Sequence, residues 1–290
     1  MNVLSLFDGL GGCRIALEKA GIKVNNYYSS EINKNSIKIS SHRYPDIINL
    51  GDVRNINESM FKHKIDLITA GSPCQDLSIA GSKLGMEVIS LDQYLKLKKK
   101  GFKFSGQSFL FWEFIRLVKE LKPKYFFLEN VRMEDRWKHV ISKELGVLPL
   151  MINSNVVSIQ NRERYYWTNI PNVSHPKVKD IPLTTVIPGA IGGYGKRGVW
   201  NDKLDKYVLT GTTRKDGKVN CITTSKGNTS KVMYKNGKHR NLTIEEAEIA
   251  QTLPKNYTKV PGVSETARWH AIGNGWTIKV IVHLFKGLKK

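Results

Sequence analysis

Cysteine is scarce in this chain of 290 residues, which has only Cys13, Cys74 and Cys221. An odd number at wide spacing argues against a disulfide framework, and no cysteine or histidine pair has the close spacing of a zinc site. Apolar runs of the roughly 20 residues that a membrane span needs are also missing. The amino terminus MNVLSLFDG lacks the basic and apolar regions of a signal peptide. We therefore expect a cytoplasmic protein without metal or membrane anchor, in which at least one thiol is free to react.

Acidic residues are too few to balance the basic ones, with 25 Asp and Glu against 46 Lys and Arg and a net charge of +21. A charge of this sign and size indicates a polyanionic partner, and nucleic acid is a better candidate than a lipid surface. The excess is concentrated between 192 and 240, where 12 Lys and Arg stand against three acids, a net charge of +9. Gly, Thr and Asn are frequent there, which indicates a small, irregular, β-rich lobe.

Short apolar runs alternate with helical patterns in the first half, which is typical of a parallel sheet flanked by helices. The α/β domain is predicted at 1–170 plus 262–290, and the lobe at 171–261. Within these, the patterns predict strands at 3–7, 23–28, 66–70 and 125–128, and helices from the first turn to Ala20 and over 108–121, 243–253 and 277–288. The helix at 243–253 is expected to begin with a capping box of Thr243 and Glu246.

A glycine-rich turn from Phe7 to Gly12 follows the first strand and opens a helix. Glycines let the backbone approach a ligand closely, and Glu31 at the end of the second strand is placed to bind ribose hydroxyls. The spacing is not GxGxxG, which disfavours an ordinary NAD site. By itself the turn fits an adenosine-type ligand and a plain strand–helix turn equally well. Asp52 would bring a carboxylate near an adenine amino group, or is an ordinary surface acid.

Cys74 follows Pro73 on a stiff turn at the carboxyl end of the third predicted strand, where ligands bind in open α/β sheets. A lone cysteine is more often a small buried apolar residue than a nucleophile. Glu129 ends the fourth strand, so we expect it in the same crevice as Cys74. Gln160, Arg162 and Arg164 alternate in a strand-like pattern and would share one face, or form a solvated strand edge.

Taken together, the ordered motifs resemble those of the DNA cytosine-C5 methyltransferase family over nearly the whole chain. Short stretches such as SLFDG and GSPCQDLSI are most similar to the vertebrate de novo class, although the length suits a bacterial or phage enzyme. The resemblance implies an α/β fold, a Rossmann-like class I S-adenosylmethionine-dependent methyltransferase sheet with a target-recognition lobe. It rests on Phe7 to Gly12, Pro73-Cys74-Gln75, Gly106 to Phe111, Glu129-Asn130-Val131, Gln160 to Arg164, Leu242 to Pro254 and Gly273 to Trp276.

The resemblance also implies the chemistry. Cys74 would add to C6 of a cytosine flipped out of double-stranded DNA, so that C5 accepts a methyl group from S-adenosylmethionine and S-adenosylhomocysteine is released. Glu129 would hold N3 and the exocyclic amine, Arg164 the O2 carbonyl, and Arg162 would brace the site. Donor contacts carry over to Phe7, Asp8, Gly9, Leu10, Gly11, Gly12, Glu31, Ile32, Asp52, Val53, Gln75, Leu110, Asn274 and Trp276.

Two features depart from the family pattern. An extra stretch at 88–103 carries a lysine cluster and is either a DNA-contacting insert or a solvated loop. The recognition lobe is short, which suggests few base contacts and a short target. DNA contacts are predicted at Ser78, Lys96, Lys98, Lys99, Gln160, Lys226, Asn228 and Thr229.

Double-stranded DNA is the expected partner of a monomeric enzyme, with a cognate restriction endonuclease as a further candidate. One alternative keeps the chemistry and changes the substrate to transfer RNA. Another is a catalytically silent DNA-binding homologue, which the presence of Cys74, Glu129, Arg162 and Arg164 disfavours. A third is a thymidylate-synthase-like nucleotide enzyme, which would need neither the basic lobe nor an adenosine-binding first turn.

Overall fold

The computed structural model describes residues 1–73, 88–201, 205–227 and 230–289, without the side chains of 197–201, 206, 207 and 209. The chain divides into two compact units. The first unit comprises Met1–Ile152, Glu163–His175 and Val282–Lys290, and the second comprises Asn153–Arg162 and Pro176–Ile281.

A seven-stranded sheet organises the first unit. Its strands are β1 Asn2–Leu6, β2 Asn26–Ser30, β3 Ile47–Asn49, β4 Leu67–Gly71, β5 Tyr125–Val131, β6 Leu150–Asn153 and β7 Glu163–Thr168. The order across the sheet is β3-β2-β1-β4-β5-β7-β6. The pairs from β3 to β5 are parallel, whereas β7 runs antiparallel to β5. All carboxyl ends of β1, β2, β4 and β5 therefore lie along one edge.

Helices flank this sheet because both faces of its parallel strands are mostly apolar. Val3, Leu4 and Leu6 of β1 are fully buried, and so are Phe127 and Leu128 of β5. In the described ranges the helices of the first unit are α1 Gly12–Lys19, α2 Lys34–Arg43, α3 Leu91–Lys99, α4 Phe111–Leu121 and α5 Asp135–Leu145. The charged residues of these strands are concentrated at the carboxyl ends and in the turns that follow them, where ligands bind in open α/β sheets.

An antiparallel four-stranded sheet forms the β-rich part of the second unit. It consists of β8 Ala190–Asn201, β9 Lys206–Thr213, β10 Lys231–Tyr234 and β11 His239–Asn241, in the order β11-β10-β8-β9. Two helices, α6 Ile244–Ala250 and α7 Glu265–Asn274, follow it, and α8 Ile278–Phe285 begins in the second unit and ends in the first. Gly193 in β8 is required by packing, since a Cβ there would lie 2.6 Å from the backbone nitrogen of Asn220.

The predicted fold class is confirmed, and most predicted elements are present with shifted ends. The capping box predicted for Thr243 and Glu246 is present at the start of α6. The stretch at 88–103, expected to be a DNA-contacting insert or a solvated loop, contains α3, whose first turn is capped by Ser90. Sequence reasoning missed this helix because polar and charged residues occupy most of its positions.

The prediction that Gln160, Arg162 and Arg164 share one strand face is wrong. β7 begins at Glu163, and the boundary between the two compact units falls between Arg162 and Glu163. Gln160 and Arg162 do not belong to this strand, because their side chains form hydrogen bonds within the second unit. The second unit consequently includes 153–162 and 262–281 in addition to the stretch predicted for the lobe.

None of the described helices combines the length and the apolar character that crossing a lipid bilayer requires.

Candidate active site

The end of β4 lies beside Glu129, a predicted catalytic residue on β5. The strands are parallel and in register, with Gly71 of β4 opposite Glu129 of β5. One residue further on, the side-chain nitrogen of Asn130 donates a buried hydrogen bond of 2.9 Å to the hydroxyl of Ser72. The chain therefore leaves β4 toward Pro73 from a fixed point beside Glu129. Cys74 follows Pro73 directly in the sequence, but it lies outside the described residues, as do Gln75 and Ser78.

Glu129 forms an ion pair with Arg164 of β7, and Nε of the arginine lies 2.9 Å from Oε1 of the carboxylate. Both side chains are largely buried, with 10% and 14% of their surface exposed. The other end of the guanidinium is held too, because Nη1 donates to the carbonyl of Glu163 at 2.7 Å. Water is mostly excluded here, so the two charges interact strongly and hold each other in place. A cation and a carboxylate thus stand side by side where β5 ends.

Arg162 is buried within the second unit and does not lie on β7. Its guanidinium donates to the carbonyls of Ile222 at 2.9 Å, Gly273 at 3.2 Å and Gly275 at 3.0 Å. It also approaches Sγ of Cys221 at 3.3 Å. Arg162 therefore cross-links the carboxyl end of α7 to the stretch around Cys221.

Gln160 is fully buried, so its predicted contact with DNA does not fit the structure. Its amide nitrogen donates to the carbonyl of Ala250 at 2.7 Å and to Oε1 of Gln251 at 2.8 Å. Its amide oxygen accepts from the backbone nitrogen of Ile222 at 3.2 Å. Both ends of the amide are used inside the second unit, which gives Gln160 a structural role.

The turn after β1 adopts the left-handed backbone conformation at three positions, Phe7 (φ 54), Gly9 (φ 57) and Gly11 (φ 83). Left-handed φ is uncommon outside glycine, so Phe7 is held there by its surroundings. Leu10 and Gly12 are buried below the turn. Such a turn leaves backbone groups accessible to a ligand on its outer side.

Glu31, at the end of β2, ties this turn to the neighbouring strand. Its Oε2 accepts from the backbone nitrogen of Gly9 at 2.9 Å, and its Oε1 accepts from those of Ile32 and Asn33 at 2.8 and 2.7 Å. The side chain of Ile32 is 70% exposed. An open apolar surface beside a fixed carboxylate has the chemistry needed to bind a nucleoside, by apolar contact with the base and hydrogen bonds to the sugar hydroxyls.

Asp8 lies under the turn as a buried acid. Its Oδ1 accepts hydrogen bonds from the hydroxyls of Ser5 at 2.6 Å and Tyr27 at 2.7 Å, whereas its buried Oδ2 has no partner among the described residues. Burial raises the pKa of this carboxyl from 3.8 to about 7. Burial, together with the nearby Asp8, also raises the pKa of Cys13 to about 12. Cys13 is therefore a neutral thiol near pH 7 and unsuited to nucleophilic attack.

The raised pKa of Asp8 predicts a specific pH dependence of stability. Between about pH 4 and pH 7 the folded chain keeps a proton that the unfolded chain has lost, so stability falls as pH rises through this window and levels off above it. Asp8→Asn keeps the two hydrogen bonds but cannot ionise. Its free energy of unfolding, relative to the wild type, is expected to rise by up to about 4 kcal/mol across the window.

Urea unfolding of the donor-free protein at several pH values measures this difference. Asp46→Asn, at an exposed acid of the same unit, serves as the control. Parallel pH profiles for Asp8→Asn and the wild type would contradict a protonated Asp8.

Asp52 and Val53 lie after β3, in a 3-10 turn at Val53–Asn55. Asp52 caps this turn and forms an ion pair with Arg54, which holds the pKa of Asp52 below its usual range. Val53 is buried. Leu110, at the start of α4, is half-buried, while Asn274 and Trp276 belong to the second unit at the end of α7.

The predicted DNA-contacting lysines have different surroundings. Lys96 is exposed and pairs with Asp92 one turn earlier at 2.8 Å, and Lys99 is exposed at the end of α3. Lys98 instead binds Glu113, which is completely buried. Lys226 pairs with Glu265 at 3.0 Å and lies 5.7 Å from the ring of Trp269. Asn228 and Thr229 lie outside the described residues.

Sequence reasoning missed Glu113 and Arg116 of α4. They lie within the apolar run FWEFIRLV, at positions whose neighbours are all buried. An acid and a base three residues apart inside such a run indicate a buried pair, and this signal was present in the sequence. The partners of the pair come from distant parts of the chain and could not be read from it.

Within the described residues, no group of three or more His, Cys, Asp and Glu side chains is arranged to hold a metal ion.

The strand order and the polar strand ends define a Rossmann-like methyltransferase fold. Two solved structures are similar over nearly their full length: a DNMT2 mutant from Spodoptera frugiperda (TM-score 0.67, 18% identity, 100% of this chain and 99% of that one) and EhMeth of Entamoeba histolytica (0.67, 16%, 100% and 99%). At these identities the likeness establishes the fold alone.

Sequence comparison identifies the family. The family described as C-5 cytosine-specific DNA methylase matches residues 1–185 and 138–290, and the chain belongs to it. The type II methyltransferase M1.ScrFI of Lactococcus lactis subsp. cremoris is 25% identical over 97% of this chain and 76% of its own length. The orphan methyltransferases M.SPRI of Bacillus phage SPR and M.Rho11sI of Bacillus phage rho11s are 29% and 33% identical, and the matched region spans 38% and 32% of their lengths.

Proposed function

We propose that this protein transfers a methyl group from S-adenosylmethionine to C5 of cytosine in double-stranded DNA. The observation that carries the proposal is the pairing of Glu129 with Arg164 at the end of β5, in register with the strand that leads to Pro73-Cys74. Membership of the C-5 cytosine-specific DNA methylase family supports it independently.

The described residues fit the methyl donor. The left-handed turn at Phe7, Gly9 and Gly11 leaves space for close approach, and Glu31 with exposed Ile32 suits the ribose and the adenine ring. Asp52, at the head of the following 3-10 turn, would accept from the adenine amino group. When bound, S-adenosylmethionine supplies a methyl group on a positively charged sulfur.

Cys74 would act as the nucleophile. Its thiolate adds to C6 of the cytosine, and the π electron pair of the C5–C6 double bond moves to C5. C5 then takes up the methyl group as the methyl–sulfur bond of the donor breaks, its electron pair stays on the sulfur, and S-adenosylhomocysteine is released. A base then removes the C5 proton, the C5–C6 double bond reforms and Cys74 leaves as thiolate. Among the other cysteines, Cys13 has its pKa raised to about 12, and Cys221 belongs to the second unit beside Arg162.

Glu129 and Arg164 would stabilise the ring while charge develops on it. A carboxyl at N3 and the exocyclic amine favours the protonated ring, which makes C6 more electrophilic, and a guanidinium at O2 withdraws charge from the same ring. Their ion pair holds both groups in place before the base arrives, so little reorganisation is needed in the transition state. The target base is stacked in a duplex and must be extruded to reach them.

Incubation of the purified protein with labelled S-adenosylmethionine tests the proposal. We expect 5-methylcytosine in duplex DNA and none in transfer RNA, and bisulfite sequencing of the product would reveal the target context. Methylation of transfer RNA alone would favour the alternative substrate, and donor binding without any methyl transfer would favour a silent DNA-binding homologue. A cognate restriction endonuclease and a monomeric state stay predictions, the second measurable by sedimentation.

Lys96 and Lys99 are proposed to contact DNA phosphates from the exposed side of α3. The double variant Lys96→Gln/Lys99→Gln is expected to weaken DNA binding uniformly across sequences and to lower the slope of log K against log salt by about 2, because about one counterion is released for each phosphate contact.

Fluorescence anisotropy at several salt concentrations measures this slope. The charge-matched control is Lys62→Gln/Lys64→Gln, which changes two exposed lysines ahead of the amino end of β4. Equal salt slopes for the two double variants would contradict a contact between DNA and α3.

A further inference from the structure

Glu113 is a completely buried carboxylate that the reaction described above does not use. Three donors from two helices meet on it. The hydroxyl of Tyr94 lies 2.6 Å from Oε1, the ammonium of Lys98 lies 2.5 Å from the same oxygen, and Nε of Arg116 lies 2.6 Å from Oε2. Tyr94 and Lys98 belong to α3, the helix in the stretch that departs from the family pattern, whereas Arg116 shares α4 with Glu113.

Arg116 connects Glu113 to the backbone of the proposed donor site. Its Nη2 donates to the carbonyls of Ile56 at 2.9 Å and Val53 at 3.3 Å. Its Nη1 pairs with Glu120 at 2.7 Å. The Val53 carbonyl belongs to the first residue of the 3-10 turn that Asp52 caps, and the Ile56 carbonyl to the residue that follows the turn. The guanidinium therefore fixes the backbone of the segment that carries Asp52 and Val53.

Packing of the Tyr94 ring holds α3 in place beside Glu113. Tyr94 is 1% exposed, and its ring packs against Phe104 with centroids 5.1 Å apart, while Phe104 stacks on Phe109 at 4.9 Å. Burial, and then the hydrogen bond to Glu113, raise the pKa of the Tyr94 phenol, so it stays a neutral donor. A buried acid with all its donors in place is rigid, and loss of one donor leaves charge without a partner.

We propose that α3 acts as a positioning element for the methyl donor: Tyr94 and Lys98 fix Glu113, and Glu113 orients Arg116 on the carbonyls of Val53 and Ile56. This rests on the proposed role of Asp52 and Val53 in donor binding. It gives the extra stretch at 88–103 a function besides DNA contact, and it separates the roles of its lysines. Lys98 contributes to donor affinity through its buried contact with Glu113, whereas the exposed Lys96 and Lys99 contact DNA phosphates.

The test uses Tyr94→Phe, Lys98→Met and the double variant of the full chain. We expect the Kd for S-adenosylhomocysteine, measured by calorimetry without DNA, to rise about tenfold in the double variant, a coupling of ordinary size. The KM for S-adenosylmethionine is expected to rise in parallel, with kcat at saturating donor within about twofold of wild type, since the reacting groups are untouched. Lys98→Arg, which keeps the charge, is expected to restore most of the affinity.

Matched controls distinguish positioning from simple stabilisation. Tyr44→Phe removes another tyrosine–glutamate hydrogen bond, to Glu18, and Lys119→Met removes another lysine–glutamate pair, to Glu144, both in the same unit. They are expected to leave the donor Kd unchanged. A lowered melting temperature with unchanged donor Kd in the α3 variants would overturn the positioning role. A wild-type protein that binds no donor would instead refute the proposed function itself.

Discussion

Replacing Cys74 by serine is expected to abolish methyl transfer to DNA, lowering kcat by at least about a thousandfold, because the variant loses the thiolate that forms the covalent bond to C6. Donor affinity is expected to stay unchanged, since the glycine-rich turn, Glu31 and Asp52 do not depend on this sulfur. Single-turnover methyl transfer and calorimetric titration with S-adenosylhomocysteine measure the two quantities separately.

DNA containing 5-fluorocytosine gives the complementary result. Fluorine cannot leave C5 as a proton does, so the wild-type protein is expected to remain covalently attached and to shift the DNA on a denaturing gel. Cys74→Ser should give no such band. Cys221→Ser is the control, because Cys221 lies beside Arg162 in the second unit and its replacement is expected to leave the band intact. A covalent adduct with the Cys74→Ser variant would show that a residue other than Cys74 is the nucleophile.

Replacing Glu129 by glutamine is expected to lower kcat by about a hundred- to a thousandfold, the usual range when one group that stabilises developing charge is lost. Glutamine keeps the shape and one oxygen acceptor, but it cannot stabilise a protonated ring. Arg164 is also left as a largely buried cation whose counter-charge has gone. We therefore expect lower stability as well, by about 3 kcal/mol for Glu129→Ala and less for Glu129→Gln.

Glu163→Gln is the matched control on β7. Glu163 forms an ion pair with Arg132 whose side chains are 36% and 61% exposed, so its removal is expected to change little. Glu129→Gln, Arg164→Lys and their combination form a double-mutant cycle. If the two groups act on one ring, the losses in kcat will be far from additive. Additive losses, or a Glu129→Gln variant as active as Glu163→Gln, would remove this pair from the reaction.

Several parts of the site were predictable from local chemistry. The apolar run at 125–128 identified a buried strand, and Glu129 directly after this run lies near the carboxyl end of β5. The glycines around Leu10 predicted a turn that opens a helix, and the structure has such a turn ahead of α1, with Phe7, Gly9 and Gly11 in the left-handed region. Thr243 and Glu246 predicted a helix start, because a capping box depends only on residues three apart.

Other parts failed because the decisive partners are distant in sequence. Gln160 looked like a surface residue of a strand, yet its amide is bonded to Ala250 and Gln251, about ninety residues later. Lys98 looked equivalent to Lys96 and Lys99 until its contact with Glu113 set it apart. The spacing of polar residues along the sequence does not reveal which of them form contacts with a buried group.

The sequence by itself determined the family, the fold class and the order of the motifs along the chain, because these depend on residue types and spacings that are local. Only the tertiary structure decided which charges are buried and what they hold: Glu129 with Arg164, Glu113 with three donors, and Arg162 inside the second unit. The physical reason is that burial and ion pairing depend on how segments far apart in the chain pack together.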